Sequence, residues 1–199
     1  MGGEAVVDLG CGDGFWLDIV APRYEKAIGI DVSTERQDRR KQEPKGWEFL
    51  LADLSTGIPL RTESIDAAHA NQVIEHIRNP LAFALEVRRV LRPGGIFVAT
   101  TPNVRYARHL ARLVVRGQGP LTSARPDNRT LEQWDDGHLH YLTPHDLEWI
   151  AGHAGFASSK TSALIDVSGS LIRPLLDRWS HLSLVKQFLS GNTVIVARA

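Results

Sequence analysis

The stretch from Val6 to Trp16, VVDLGCGDGFW, constrains the fold more than any other part of this sequence. An apolar run passes directly into Gly10, Gly12 and Gly14, and helix-compatible residues follow. Glycine enters left-handed backbone conformations without steric cost and lets main-chain N–H groups approach a ligand closely. The order therefore reads as strand, ligand-cradling turn and helix. Similar units follow. Ala5 to Asp8, Ala27 to Asp31, Glu48 to Leu51, Ile65 to Ala70 and Gly95 to Thr101 are predicted strands. Phe15 to Ala21, Thr34 to Gln42 and Pro80 to Leu91 are predicted helices or helical turns. This alternation predicts a parallel sheet covered on both faces. RPGG at 92–95 is expected to end one helix and turn the chain into the next strand.

After Thr101 the rhythm breaks. Residues 102–142 read as an insertion, helical from Val104 to Arg116 and then rich in turn formers, with an expected role as lid or acceptor site. Thr143-Pro144-His145-Asp146 is a helix start, with a threonine cap, a proline in the first turn and an acid three residues after the cap. That helix should end near Gly152 to Phe156, with a strand over Ser158 to Leu164. Apolar residues at 171, 172, 175, 176, 179, 182, 185 and 189 form a helical stripe, read as a cover for the last strands or as a dimer face. Asn192 to Ala199 is a closing strand.

Composition narrows the class. A chain of 199 residues supports one domain over 1–199, and its 23 basic and 23 acidic side chains cancel, which gives no general attraction to nucleic acid or anionic membrane. The lone Cys11 excludes an internal disulfide framework and a cysteine-rich zinc site. No leader or membrane-spanning segment is read, so a cytoplasmic setting is expected.

The glycines are spaced G-x-G-x-G, and Phe15 stands where a dinucleotide fingerprint needs a small residue. Asp8 precedes the loop; an anion there suits a ligand with an ammonium near end better than a pyrophosphate. Asp31, ending the second strand, can accept both ribose hydroxyl protons of either kind of ligand. Asp53 could accept the exocyclic amine of adenine while Leu54 packs on the ring; a helix cap or surface acid is the rival reading of Asp53. The fourth strand runs into IDAAHANQVIEHI (65–77), polar at the end where ligands of open α/β sheets bind.

Together, DLGCGDG, Asp31, ADL at 52–54, IDAAHANQVIEHI and LEVRRVLRPGGIFVATTPN resemble, in order, the motifs of class I S-adenosylmethionine-dependent methyltransferases. TPN, the basic helix after it and GHLHYLTPHDLEWIAGHAGF are similar to small bacterial members, the methionine-biosynthesis W-like and ubiquinone-biosynthesis O-methyltransferase-like proteins. The resemblance implies a Rossmann-like, doubly wound seven-stranded sheet of order 3-2-1-4-5-7-6, its last strand antiparallel, and S-adenosyl-L-methionine as cofactor. It assigns Asp8, Gly10, Cys11, Gly12 and Gly14 to the methionine end, Asp31 and Val32 to the ribose, and Asp53 and Leu54 to adenine. Asn71 and Gln72 would pass beneath the sulfonium. Family members usually carry helices before the first strand, so either the chain is a shortened version or the 102–142 insertion, a second copy or a partner subunit is expected to supply a lid.

Methyl transfer to a small-molecule acceptor, at a hydroxyl oxygen, calls for a base, and His140, His138 and His76 are the candidates. His76 follows the fourth strand; its alternative role is a polar residue at a helix end. His138 and His140, two apart in an extended segment, share a face with Asp135 or Asp136 nearby. They read as a base and its orienting acid, or as a loop clamp. No third ligand has recognisable spacing, so no metal centre is expected. Cys11 is read as a small buried filler. Arg105, Arg108, Arg112 and Arg116 form one stripe opposite Tyr106, Leu110, Leu113 and Val114, either a solvated face or an anion-binding one. Trp134, Tyr141 and Trp149 would line the acceptor pocket or belong to the core. Two other functions stay open: a non-catalytic subunit of this fold that binds the cofactor or a protein partner, and an NAD-dependent oxidoreductase, which the glycine spacing and Phe15 disfavour.

Overall fold

The computed structural model describes residues 2–35, 46–119, 121–122, 135–164 and 187–199. Seven strands, β1 (Gly3–Leu9), β2 (Tyr24–Asp31), β3 (Glu48–Leu51), β4 (Ile65–Asn71), β5 (Leu91–Pro102), β6 (Ser158–Leu164) and β7 (Asn192–Arg198), form one sheet of order β3-β2-β1-β4-β5-β7-β6. β7 runs antiparallel to both of its neighbours, and the pairings from β3 to β5 are parallel. The order and the reversed strand are those that the resemblance implies.

Four helices are described: α1 (Phe15–Val20), α2 (Pro80–Val90), α3 (Ala107–Arg116) and α4 (Pro144–His153). Period-two burial along the strands divides the core. Leu9, Ile30, Ala68, Phe97 and Ala99 face a large cluster completed by Phe83, Val87, Leu147, Ile150 and Phe156 from α2, α4 and the turn after α4. On the opposite face Val6 and Ala27 pack with Leu17, Ala21, Cys11 and Trp47. Both faces are covered, as parallel strands require. α1 lies close to the sheet because Gly29 has no side chain; a Cβ there would stand 2.8 Å from the Cys11 sulfur and 2.9 Å from Leu17. Phe15 itself is exposed and contributes nothing to this packing.

Two boundaries differ from those predicted. RPGG is no turn between elements: Leu91 already pairs with Ile65, and the register shifts before Ile96 pairs with Ala67, so residues 92–95 form an irregularity inside β5. Arg92 pins it through Asp66 at 2.9 Å and Glu4 at 2.6 Å. The basic helix starts at Ala107 and not at Val104, because Asn103 takes the Arg105 and Tyr106 amides in a tight turn. Arg105 is thereby removed from the arginine stripe and binds the Gln187 side chain at 2.7 Å. Val114, predicted on the apolar side, is 82% exposed. The predicted helix over 34–42 lies outside the described residues beyond Glu35, as does the 171–189 stripe up to residue 186.

The Thr143 cap forms as predicted. Its hydroxyl accepts the Asp146 amide at 3.2 Å, and the Asp146 carboxylate accepts the Thr143 amide at 2.8 Å. Thr143→Ala should cost about 1 kcal/mol in denaturant unfolding, with no change in cofactor affinity.

Candidate functional site

The carboxyl ends of β1, β2 and β4, where strand order switches direction, open onto a cavity of about 670 Å³. Gly10, Asp31, Val32, Asp53, Leu54, Asn71 and Gln72 line it together with Ser55, Ile77 and Arg78. Seven of the predicted cofactor residues are thus brought to one wall. Asp8, Cys11, Gly12 and Gly14 are not among the lining residues.

The glycine loop supplies space and shape. Gly10, Gly12 and Gly14 all adopt positive φ. The Gly10 and Cys11 amides both bond the Ile30 carbonyl, at 2.7 and 3.0 Å, and the Gly14 amide bonds the Cys11 carbonyl at 2.9 Å. The Gly12 amide donates to Asp31 Oδ2 at 2.9 Å, and the Ser33 amide to Asp31 Oδ1 at 3.1 Å. A carboxylate offers about four lone-pair positions, so Asp31 keeps acceptor capacity for a ligand while it locks the loop to β2. At Gly10 a Cβ would stand 2.4 Å from Val73, which ties the loop to the segment after β4.

Asp8 is buried, and its Oδ1 lies 2.8 Å from His69 Nδ1 on the neighbouring strand, where Asp8 and His69 are register partners. Burial raises the Asp8 carboxyl above its ordinary range, and the His69 contact opposes that rise. The ring of Trp16 stacks on His69 at 4.1 Å. Cys11 is buried, and desolvation with the nearby Asp8 and Asp31 charges pushes its thiol up to about 12, which fits the filler role. Asp53 is exposed at the cavity rim, its carboxyl lowered by the Ser55 hydroxyl and amide at 2.6 and 2.8 Å. Gln72 takes a left-handed conformation, φ 56°, and its side chain reaches the Thr100 hydroxyl at 3.2 Å. That hydroxyl in turn donates to Asn71. Backbone strain of this kind gathers at ligand sites.

The same cavity is also lined by His76, Thr122, His138 and Leu139. Behind the two histidines stands Glu75, 0% exposed. Donor atoms of Glu75, His76 and His138 all lie within 4.8 Å of one another, and the two imidazoles meet edge to face at 4.8 Å. Neither Glu75 carboxylate oxygen has an aligned hydrogen bond among the described residues; its own backbone amide and then the Thr101 hydroxyl give weak compensation. Burial drives the carboxyl up to about 7.

Two predicted candidates meet here and the third does not. His140 Nε2 faces the Arg78 carbonyl at 3.3 Å, and its amide bonds the Glu75 carbonyl at 3.1 Å; it lies outside the lining. Trp149 is exposed on α4 and stacks on His153, and neither it nor Tyr141 lines the cavity. Trp134 lies outside the described residues, as does the side chain of Asp136. Glu75, Thr122 and Arg78 escaped the sequence reading. Glu75 alone carried a signal there, an acid beside His76 within the otherwise apolar VIEHI.

The model of a family described as a methyltransferase domain matches residues 2–160. The chain belongs to the class I S-adenosylmethionine-dependent methyltransferases. It is similar to the ubiquinone biosynthesis O-methyltransferase of Psychrobacter arcticus, 26% identical over 187 residues, covering 90% of this chain and 66% of the relative. It is also similar to the trans-aconitate 2-methyltransferase of an Azoarcus species, 28% identical over 179 residues, covering 86% and 70%. Among solved structures it resembles an S-adenosylmethionine-dependent methyltransferase from Mesorhizobium loti, with a TM-score of 0.67 and 18% identity over 100% of this chain and 92% of that one. That last likeness concerns the fold alone. The chain spans between 31% and 66% of the length of three curated relatives that it matches.

The residues of this methyltransferase fit S-adenosylmethionine as the cofactor. Asp31 retains acceptor sites for two ribose hydroxyls, buried Leu54 offers an apolar surface beside Asp53, and the glycine turn leaves room at the sheet edge. Among the described residues no helix is long and apolar enough to cross a membrane.

Proposed function

We propose that this chain transfers the methyl group of S-adenosylmethionine to a hydroxyl oxygen of a small molecule seated against Glu75, His76 and His138. The observation that carries this reading is the shared lining of one cavity. Asp31, Asp53 and Leu54 line it, and so do two imidazoles with a buried carboxyl beside them. S-adenosylmethionine, held by Asp31, Asp53 and Leu54, would supply an electrophilic methyl group for in-line displacement, the C–S electron pair staying on sulfur as the C–O bond forms. The hydroxyl proton passes to an imidazole nitrogen of His76 or His138. Alignment of the reacting atoms contributes ~7–11 kcal/mol and a base ~10²–10⁴ in rate. The names of the ubiquinone and trans-aconitate relatives support a small-molecule acceptor.

A second reading rests on the unpartnered Glu75 carboxylate. A buried anion without a hydrogen bond costs several kcal/mol, and a divalent cation held by Glu75 and two imidazoles would offset it. Glu75 would then be the third donor that the sequence spacing did not show.

The test is transfer of labelled methyl from S-adenosylmethionine to a panel of hydroxylated acids and phenols, with and without chelator. His138→Ala should bind cofactor with wild-type affinity in calorimetry and lose turnover by ~10²-fold or more. Turnover that survives in a Glu75→Gln, His76→Ala, His138→Ala triple variant would remove the cluster from the reaction.

A further inference from the structure

The geometry assigns the short turn Asp135–Gly137 as a positioning device that fixes both imidazoles in the tautomer carrying its lone pair on Nε2. This rests on the proposed role of His76 and His138, and it follows from counting protons. The Thr122 hydroxyl lies 2.9 Å from Asp135 Oδ2 and 2.7 Å from His138 Nδ1. It has one proton to give. Asp135 Oδ2 also accepts the Thr122 amide at 2.8 Å, and an ionised carboxylate only accepts, so the hydroxyl proton points to Asp135. The hydroxyl must then accept from the ring, which places the His138 proton on Nδ1. The same nitrogen lies 3.5 Å from the Asp135 carboxylate, a second oxygen that favours a proton there.

His76 is set by the other end of the same turn. Its Nδ1 lies 3.1 Å from the Gly137 carbonyl, which can only accept. Nδ1 is therefore the protonated nitrogen, and Nε2 carries the lone pair. One three-residue turn thus prepares two rings in the form able to take a proton or hold a cation. The turn is itself held in an uncommon shape: Asp135 is a non-glycine residue at φ 49°, and Gly137 has φ 83°. Asp135 is almost fully buried, and the Asp135 carbonyl also accepts the His138 amide at 3.2 Å. Positioning partners of this kind typically change activity or metal affinity by ~10–100-fold when removed.

The assignment separates a hydrogen-bonding role from a charge role. Asp135→Asn keeps an oxygen able to accept both Thr122 protons, so the tautomer should persist. Asp135→Ala frees the Thr122 hydroxyl to turn and donate to Nδ1, so the His138 proton should move to Nε2. Thr122→Ser should behave as wild type.

The experiment is long-range proton–nitrogen correlation of the full chain with ¹⁵N-labelled histidine, at about pH 8, above the ordinary imidazole range. It requires neither acceptor nor metal. The wild type and the Asn and Ser variants should show His138 and His76 protonated at Nδ1, with Asp135→Ala shifted toward Nε2–H at His138. A wild-type His138 or His76 protonated at Nε2 overturns the assignment, even if Asp135→Ala fails to fold. Where an acceptor has been found, Asp135→Ala should lower kcat by ~10–100-fold and leave the cofactor Kd unchanged. Correct tautomers with no turnover on any acceptor would overturn the proposed function and leave the positioning role standing.

Discussion

Glu75→Gln should make the chelator-treated chain more stable at pH 8, by up to about 3 kcal/mol, while it stops methyl transfer. The sign follows from linkage. An unfolded chain releases this proton near 4.5, whereas burial in the folded chain raises the carboxyl to about 7. Below 4.5 both states hold the proton and the group is neutral in its effect. Between 4.5 and about 7 the folded state binds more protons than the unfolded one, so stability falls as pH rises and then levels off. At ~1.4 kcal/mol per pH unit that interval amounts to about 3 kcal/mol. A glutamine cannot ionise, and its own buried amide, without a partner, takes back part of the gain. Urea unfolding of both proteins from pH 4.5 to 8 gives the difference directly and cancels the histidines common to both. The curves should differ least in favour of the variant near pH 4.5, diverge progressively up to about pH 7 and run parallel above it. Parallel curves across the whole range would mean that the Glu75 charge is fully compensated in the folded chain. A residue that destabilises the fold where it sits, yet is needed for turnover, marks a functional site by energetics alone.

Asp31→Ala should lower S-adenosylmethionine affinity by ~10²–10³-fold, since hydrogen bonds to a charged acceptor contribute ~1.5–3 kcal/mol each. Two effects combine. The ribose loses its acceptor, and the Gly12 and Ser33 amides lose the carboxylate that holds the loop to β2. Asp31→Asn retains one carbonyl oxygen and should lose about 10-fold, a graded pair that calorimetry resolves. The sheet should survive both changes, because Gly10 and Cys11 remain bonded to Ile30. Equal affinity in Asp31→Ala and wild type would place the cofactor elsewhere.

The order of the sheet was legible only through the family resemblance, but the strands were legible because they are local. Each rests on a short periodic run ending in a residue type that its position requires: glycine where φ is positive, or an acid at the end of β2. The chemistry of the histidine cluster was only half legible. His138 and His140 look equivalent two residues apart in an extended segment, and their roles separate only because Thr122 and Asp135 engage one while the Arg78 carbonyl engages the other. Arg105 left its stripe for a similar reason, drawn to Gln187, which is distant in sequence.

The opening VVDLGCGDGFW determined by itself that a glycine turn would close a β-strand at a ligand edge, since spacing and backbone freedom are properties of a few adjacent residues. The tertiary structure decided the rest. It committed the loop amides to Ile30 and Asp31, sank Asp8 against His69, and drew Glu75 behind two histidines. Those outcomes depend on burial and on partners up to 63 positions away, such as Glu75 and His138, and no local pattern encodes a desolvation energy.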